Sequence, residues 1–351
     1  MNEPDRRGDS DGSASILDDA HRVALAALER WDLAVEEIEP IKIRENAVFR
    51  LDRTDGRRAV LRVHRAGYHT DAELRSEFAW MRTLAGAGVP VPEVVRSRYD
   101  NDFEVITASG VAVAHQVDVL EWIDGHPLGS VETSLAGDAS TIAERYRMIG
   151  RTMALMHDQS ANWHLPSGFV RHSWDAAALV GERPFWGRFW DLDALAPVER
   201  ALLRRARARL QRDLANYPMS RERYGVIHAD LVPENILVTP SGLRVIDFDD
   251  AGFGWHWFDM ATSLYFVTAQ TYYPQALAAL VRGYEERRPM PGDVEEHLPV
   301  FMAARATTYL GWVHTRPGTE TARTLTPYLI ERACEVCANY LSRRRRATIP
   351  R

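Results

Sequence analysis
The chain has 351 residues, 46% of them hydrophobic, and a formal net charge of −6. It is long and apolar enough for two folded units with sizeable cores, and its acidic balance argues against general nucleic-acid affinity, which needs a basic face. No run is long and apolar enough to span a bilayer, and the first residues lack the apolar stretch of a signal peptide, so a cytoplasmic protein with no membrane partner is expected.

Residues 1–17, rich in Asp, Arg, Gly and Ser, read as a disordered tail. Residues 18–31 carry Val23, Leu25, Leu28 and Trp31 at helical spacing. Residues 38–43, 47–52 and 59–64 read as strands, the last two joined by the Asp55-Gly56 hairpin signal. Leu74, Phe78, Met81 and Leu84 mark a helix over 70–87, stopped by Gly88 and kept stopped by Pro90 and Pro92. Residues 103–107 and 111–120 form a second hairpin pattern. Gly125 and Pro127 break the pattern, and helices then dominate, over 141–157, 198–216, 257–270, 274–287, 297–313 and 326–343. The expected class is α+β. An antiparallel sheet with one inserted helix (18–123) precedes a mainly helical unit (124–345) and a basic tail (346–351). Cys334 and Cys337 form a C-x-x-C inside the last helical pattern; with no second pair to complete a zinc site, they read as two small apolar residues.

Chemistry concentrates in His228-Ala229-Asp230-Leu231-Val232-Pro233-Glu234-Asn235 and, after a short apolar strand, Asp247-Phe248-Asp249-Asp250. One carboxylate able to take a hydroxyl proton, followed by an amide and a second carboxylate able to hold magnesium, is the set that phosphoryl transfer from a nucleotide requires.

In these motifs the chain resembles the aminoglycoside phosphotransferase and choline kinase superfamily, which has the two-lobed protein-kinase-like fold, and within it the branch of the stress-response Ser/Thr kinase and homoserine-kinase-like proteins. The resemblance covers residues 38–340 and implies ATP and Mg2+ as cofactors and a small hydroxyl-bearing acceptor. It makes Asp230 the base, with His228 fixing the loop, and Asn235 and Asp247 the metal ligands. Asp259, in Trp257-Phe258-Asp259-Met260-Ala261, takes the place of a carboxylate that supports the catalytic loop. Arg62, in Ala59-Val60-Leu61-Arg62-Val63-His64, stands where the family usually has the phosphate-binding lysine. Its expected partner is Glu77, with Glu73 the alternate; Lys42, the sole lysine, is a rival placed further from the phosphates. Asn46 is the candidate phosphate contact in a turn without the usual glycines. The backbone from Glu121 to Ile123 is the candidate adenine hinge.

Residues 163–190 hold Trp163, Trp174, Trp186 and Trp190 with Phe185, Phe189, Arg171 and Arg183, which read either as an acceptor-binding lid or as a satellite core. Trp174, Asp249, Arg305 and Trp312 are the candidate acceptor contacts. Two alternatives to a small-molecule kinase stand: a Ser/Thr protein kinase, and a non-catalytic nucleotide sensor suggested by Arg62 and the glycine-poor turn.

Overall fold
The computed structural model describes residues 8–43, 46–130, 135 and 137–343; the turn residues Arg44 and Glu45 and the basic tail of 346–351 lie outside them. Contacts divide the chain into two units: Met1–His126 with Leu165–Val170 and Thr239–Ile246, and Pro127–His164 with Arg171–Val238 and Asp247–Arg351. The first division falls within the Gly125–Pro127 break. The two short excursions, 165–170 and 239–246, have no signature in the sequence.

The first unit contains α1 (Gly8–Leu28), β1 (Val35–Ile43), β2 (Asn46–Arg53), β3 (Arg58–His64), α2 (Asp71–Gly86), β4 (Phe103–Ile106) and β5 (His115–Glu121). Its sheet has the order β1-β2-β3-β5-β4, with every neighbouring pair antiparallel. Alternation sorts the side chains. Phe49, Leu51, Leu61, Val63, Val117 and Val119 share the face that buries Val23, Ala24 and Ala27 of α1 with Trp31. The opposite face carries Arg62, His64 and Asp118. Helix α1 starts at Gly8, ten residues before the expected start at Asp18 and inside the segment read as a tail. Once the apolar turns of residues 20–28 nucleate a helix, adding further residues costs far less than starting one. Helix α2 opens with a capping box between Thr70 and Glu73.

The β6 bridge (His126–Pro127) straddles the division. Then follow α3 (Ala139–Asn162), β7 (Ser173–Trp174), α4 (Ala176–Val180), α5 (Pro197–Ala215), β8 (Tyr224–Ile227), β9 (Ile236–Thr239), β10 (Gly242–Val245), β11 (Gly252–Trp255), α6 (His256–Tyr265), α7 (Tyr273–Glu285), α8 (Val294–His314) and α9 (Glu320–Ser342). The six helices expected in this part all form. Strand β11, Gly-Phe-Gly-Trp, gives no strand signal because glycine weakens one. Its glycines are there for space: a Cβ on Gly254 would lie 2.4 Å from Ile227 Cδ1, and one on Gly252 would lie 2.6 Å from the His172 carbonyl. Strand β11 is antiparallel to β8 and parallel to β7. Cys337 is buried within α9. No helix among the described residues is long and apolar enough to cross a membrane.

Helices α3 and α7 meet backbone to backbone. A Cβ on Gly150 would sit 2.0 Å from the Leu280 carbonyl oxygen, and one on Gly283 would sit 1.8 Å from that of Arg147. This close approach seats His157 of α3 against Tyr284 of α7. We expect Gly150→Ala and Gly283→Ala each to destabilise the protein by about 2 kcal/mol or more, as overpacking against rigid backbone does. Chemical denaturation checks this; an unchanged midpoint for either variant contradicts the packing described.

Candidate active site
Ile227 ends β8 and pairs with Gly252, which begins β11. The loop after β8, carrying Asp230 and Asn235, and the loop before β11, carrying Asp247 to Asp250, therefore spring from one end of the same strand pair. The ring of Phe248 lies 4.7 Å from that of His228, bringing the two loops into contact. Each loop holds a residue in the left-handed region, Ala229 at φ 65° and Asp247 at φ 66°. For an L-residue this conformation is disfavoured by about 1–2 kcal/mol; one instance is the expected metal ligand Asp247 and the other directly precedes the expected base Asp230.

Asp230 is gripped at both oxygens. Arg305 Nη2 donates to Oδ1 at 2.6 Å, and Asn235 Nδ2 donates to Oδ2 at 2.8 Å and to the Asp230 carbonyl at 2.9 Å. The Asp230 amide donates to His228 Nδ1 at 3.2 Å. Asn235 thus commits its NH2 group to Asp230, which leaves its amide oxygen as the atom suited to a cation. Arg305 also donates to the Ala229 carbonyl at 3.1 Å and to the Tyr309 hydroxyl at 2.7 Å. It is fully buried, with aromatic rings of Tyr309, Trp186 and Phe258 centred 4.1, 5.1 and 5.4 Å from its guanidinium carbon. Burial works against its charge, but Tyr309 and Asp230 outweigh that and raise its pKa further. The expectation that Arg305 contacts the acceptor is therefore corrected: it is fully buried, and its donors face the Asp230 carboxylate, the Ala229 carbonyl and the Tyr309 hydroxyl.

Asp259, on α6, accepts from the Ala229 amide at 2.6 Å and the His228 amide at 3.1 Å. Its carboxylate also faces His157 Nε2 at 3.0 Å, while His157 Nδ1 faces the Tyr284 hydroxyl at 2.9 Å. Burial pushes His157 well below the usual histidine range and Arg288 adds to the effect, so the ring is neutral. A neutral ring donates from Nε2 to Asp259 and accepts at Nδ1 from Tyr284. His256, stacked on His157 at 4.1 Å, is lowered in the same way. Burial pushes Asp259 up to about 6, against the opposing pull of His228, the two loop amides and Arg305.

Arg171 fastens the second loop from outside, donating from Nε to the Ala251 carbonyl and from Nη2 to the Asp249 carbonyl, both at 2.5 Å. Trp174 Nε1 donates to the Asp250 carbonyl at 2.9 Å. Trp174 is fully buried among Phe185, Trp186 and Phe258. It cannot touch an acceptor, which corrects the second of the acceptor expectations. Trp186, Phe189 and Trp190 are buried too, so the aromatic side chains Trp174, Trp186, Phe189 and Trp190 belong to a satellite core, with Trp186 against Arg305. Trp312 is half-buried, with the Arg316 guanidinium 5.0 Å from its ring centre. Asp249 is buried on the loop itself.

In the first unit, Arg62 is 5% exposed and lies between two fully buried carboxylates. Its Nε is 3.0 and 3.2 Å from the oxygens of Asp118, and its Nη2 is 3.1 Å from Glu77 Oε1. Asp118 also meets His64 Nε2 at 2.5 Å. Burial alone would raise the Asp118 pKa; Arg62 and His64 together reverse this and hold it below the usual carboxylate range. Glu73 serves the capping box, so Glu77 is the partner of Arg62. Asn46 is buried and pairs with His64 across β2 and β3, next to this network. Lys42 pairs with Val48, which pairs with Arg62; it thus lies two strand spacings, about 10 Å, from Arg62. The Glu121 amide donates to the Glu93 carbonyl at 2.9 Å. Ile123 is half-buried just beyond β5. Asp118 was not singled out from the sequence; the available signal was a charged residue between Val117 and Val119 in an otherwise apolar strand.

These features define a kinase-like phosphotransferase. The model of the family described as "Phosphotransferase enzyme family" matches residues 37–297, and the chain belongs to that family. It is similar to a solved microcompartment-associated aminopropanol kinase, with 31% identity, TM-score 0.80, and 91% of this chain and 97% of that one covered. It is 21% identical to the amicoumacin kinase of Bacillus subtilis over 84% of each chain. It is 30% identical to the homoserine kinase of Sinorhizobium medicae over 59% of this chain and 65% of that enzyme. The chain is an enzyme, a phosphotransferase with an alcohol group as acceptor, and these relatives favour small acceptors over the protein-kinase alternative.

Below pH about 6, Asp259 takes up a proton where the two loop amides need an acceptor, so turnover should fall with a midpoint near 6. Stability should move the other way. A carboxyl raised above its unfolded value is stabilising when protonated, and that contribution is lost as pH rises through about 6. Ionised Asp259 then costs folding on the order of 3 kcal/mol. Relative to Asp259→Asn, the wild-type protein should gain melting temperature between pH 7 and pH 4 while losing activity. A wild-type advantage that shrinks on acidification refutes the assignment.

Proposed function
We propose that the protein is an ATP- and Mg2+-dependent kinase that moves the γ-phosphate to the hydroxyl of a small amino alcohol. The observation that carries this reading is the two-point grip on Asp230. A carboxylate fixed by Arg305 and Asn235 is oriented to take the acceptor's hydroxyl proton as charge moves to phosphorus.

The donor set fits magnesium. Asn235 offers an amide oxygen and Asp247 an exposed carboxylate, both hard oxygens. No group of three or more His, Cys, Asp or Glu among the described residues is arranged to hold a metal ion. This agrees with a cation that takes its other ligands from phosphates and water. When bound, such a cation neutralises charge on the β- and γ-phosphates. Arg62, oriented by Glu77, binds phosphate oxygens in the first unit, with Asn46 beside it. The adenine edge is read by the Glu121 carbonyl and the Ile123 backbone, because the Glu121 amide is committed to Glu93.

The choice of an amino alcohol rests on charge. Aminopropanol and homoserine both bear an amine and a hydroxyl, but only homoserine bears a carboxylate. Near the loop Arg305 is committed to Asp230 and Arg171 to backbone carbonyls, so neither guanidinium is offered to an acceptor carboxylate. That balance suits an ammonium group without a carboxylate. An enzyme that uses ATP works where ATP is kept, and the cytoplasm is the compartment that fits this reading.

A coupled nucleotide-consumption assay across amino alcohols, homoserine, sugars and aminoglycosides tests the reading. Amino alcohols should have the highest kcat/KM. Asp230→Asn should lower kcat by at least about a hundredfold, the low end for a positioned base, with ATP affinity little changed. Preference for homoserine would overturn the acceptor class. ATP binding without turnover on the whole panel would favour a nucleotide sensor instead.

A further inference from the structure
We infer that Asp118 is a positioning residue for nucleotide binding: it fixes the plane of the Arg62 guanidinium, so that the site is built for arginine and would misplace a lysine. This rests on the proposed role of Arg62 and adds to it a residue on a different strand.

The sheet makes the pairing. Arg62 on β3 and Asp118 on β5 are register partners, so their side chains leave the same face side by side. Asp118 receives the single Nε–H at both oxygens, 3.0 and 3.2 Å away, while Glu77 on α2 receives Nη2 at 3.1 Å. A planar group held at Nε by one carboxylate and at Nη2 by another has lost its freedom to rotate about its stem. A lysine has no such pair of fixed donors. Its ammonium is one point charge with three donors on a flexible stem. Between these two buried carboxylates it would be drawn toward the sheet by Asp118 as strongly as toward Glu77, and away from a phosphate. The second carboxylate is therefore useful with arginine and harmful with lysine. His64, against Asp118 Oδ2, keeps that carboxylate from turning.

The test is a double-mutant cycle read by direct ATP binding, with fluorescent-nucleotide displacement and no acceptor present. Arg62→Lys should weaken ATP binding by about tenfold or more, that is by about 1.4 kcal/mol. Arg62→Lys/Asp118→Asn should recover at least about threefold of that loss, because neighbours in one network are not additive. In the coupled assay, with the amino alcohol that gives the highest turnover as acceptor, Asp118→Asn alone should raise KM for ATP more than it lowers kcat. Melting curves establish that each variant is folded at the assay temperature. Should the Asp118→Asn single variant fail to fold, the contrast between Arg62→Lys and the double variant decides. Additive effects, or a double variant weaker than Arg62→Lys, overturn the inference while leaving the kinase reading intact. Wild-type protein that binds no nucleotide overturns both.

Discussion
The carboxylate of Asp259 lies wholly out of water, yet two backbone amides of the loop after β8 depend on its charge. Those amides belong to His228 and Ala229, and Ala229 is held in a conformation that an alanine avoids. The loop reaches Asp230 with its carboxylate turned toward Arg305 only because that turn is enforced. The enforcement extends outward in steps. Neutral His157 donates to Asp259, Tyr284 donates to His157, and the contact of α3 with α7 through Gly150 and Gly283 brings the last two together. A packing constraint between two helices thereby becomes an orientation at a carboxylate.

Both units solve one problem the same way. A charged group that must hold one position, buried for Arg62 and half-buried for Asp230, has more partners than charge balance alone requires. Arg62 has Glu77 and Asp118; Asp230 has Arg305 and Asn235. Desolvating such groups is costly, so these networks are a poor route to stability. They instead remove rotamer freedom that a solvated side chain keeps, and a phosphoryl-transfer enzyme works largely by positioning. The raised pKa of Asp259 shows the cost of keeping a buried carboxylate ready for its hydrogen bonds.

Much of this was legible in the sequence, and the parts that were not have definite causes. The strands and helices of the first unit follow from period-two and period-3.6 patterns and from turn residues such as Gly56. The motif from His228 to Asn235 and the Asp247 that follows could be picked out because residue type and spacing are local. Arg305 and Asp118 illustrate the limit. Each is a charged residue inside an apolar run, and its partner lies 75 or 56 positions away. Trp174 looked like an acceptor contact because tryptophan-rich segments occur both at ligand sites and in cores. Only the burial of its indole against Asp250 decides between them. Strand β11 escaped detection because its two glycines, required by the approach of Ile227 and His172, are the residues that weaken a strand pattern.

Lys42 is the sole lysine in the chain, so nearly every cationic role falls to arginine. The choice has structural consequences whatever its origin. A guanidinium brings up to five donors in one plane and stays charged when buried. Arg305 can therefore serve the Ala229 carbonyl, the Asp230 carboxylate and the Tyr309 hydroxyl at once. Arg171 likewise spans the carbonyls of Asp249 and Ala251. An ammonium could satisfy some of these acceptors but could not fix the angle between them. The same property imposes an obligation: each buried guanidinium edge must meet an acceptor in its plane. At Arg62 a second carboxylate meets that obligation, and it is supplied from the neighbouring strand by the register of β3 with β5.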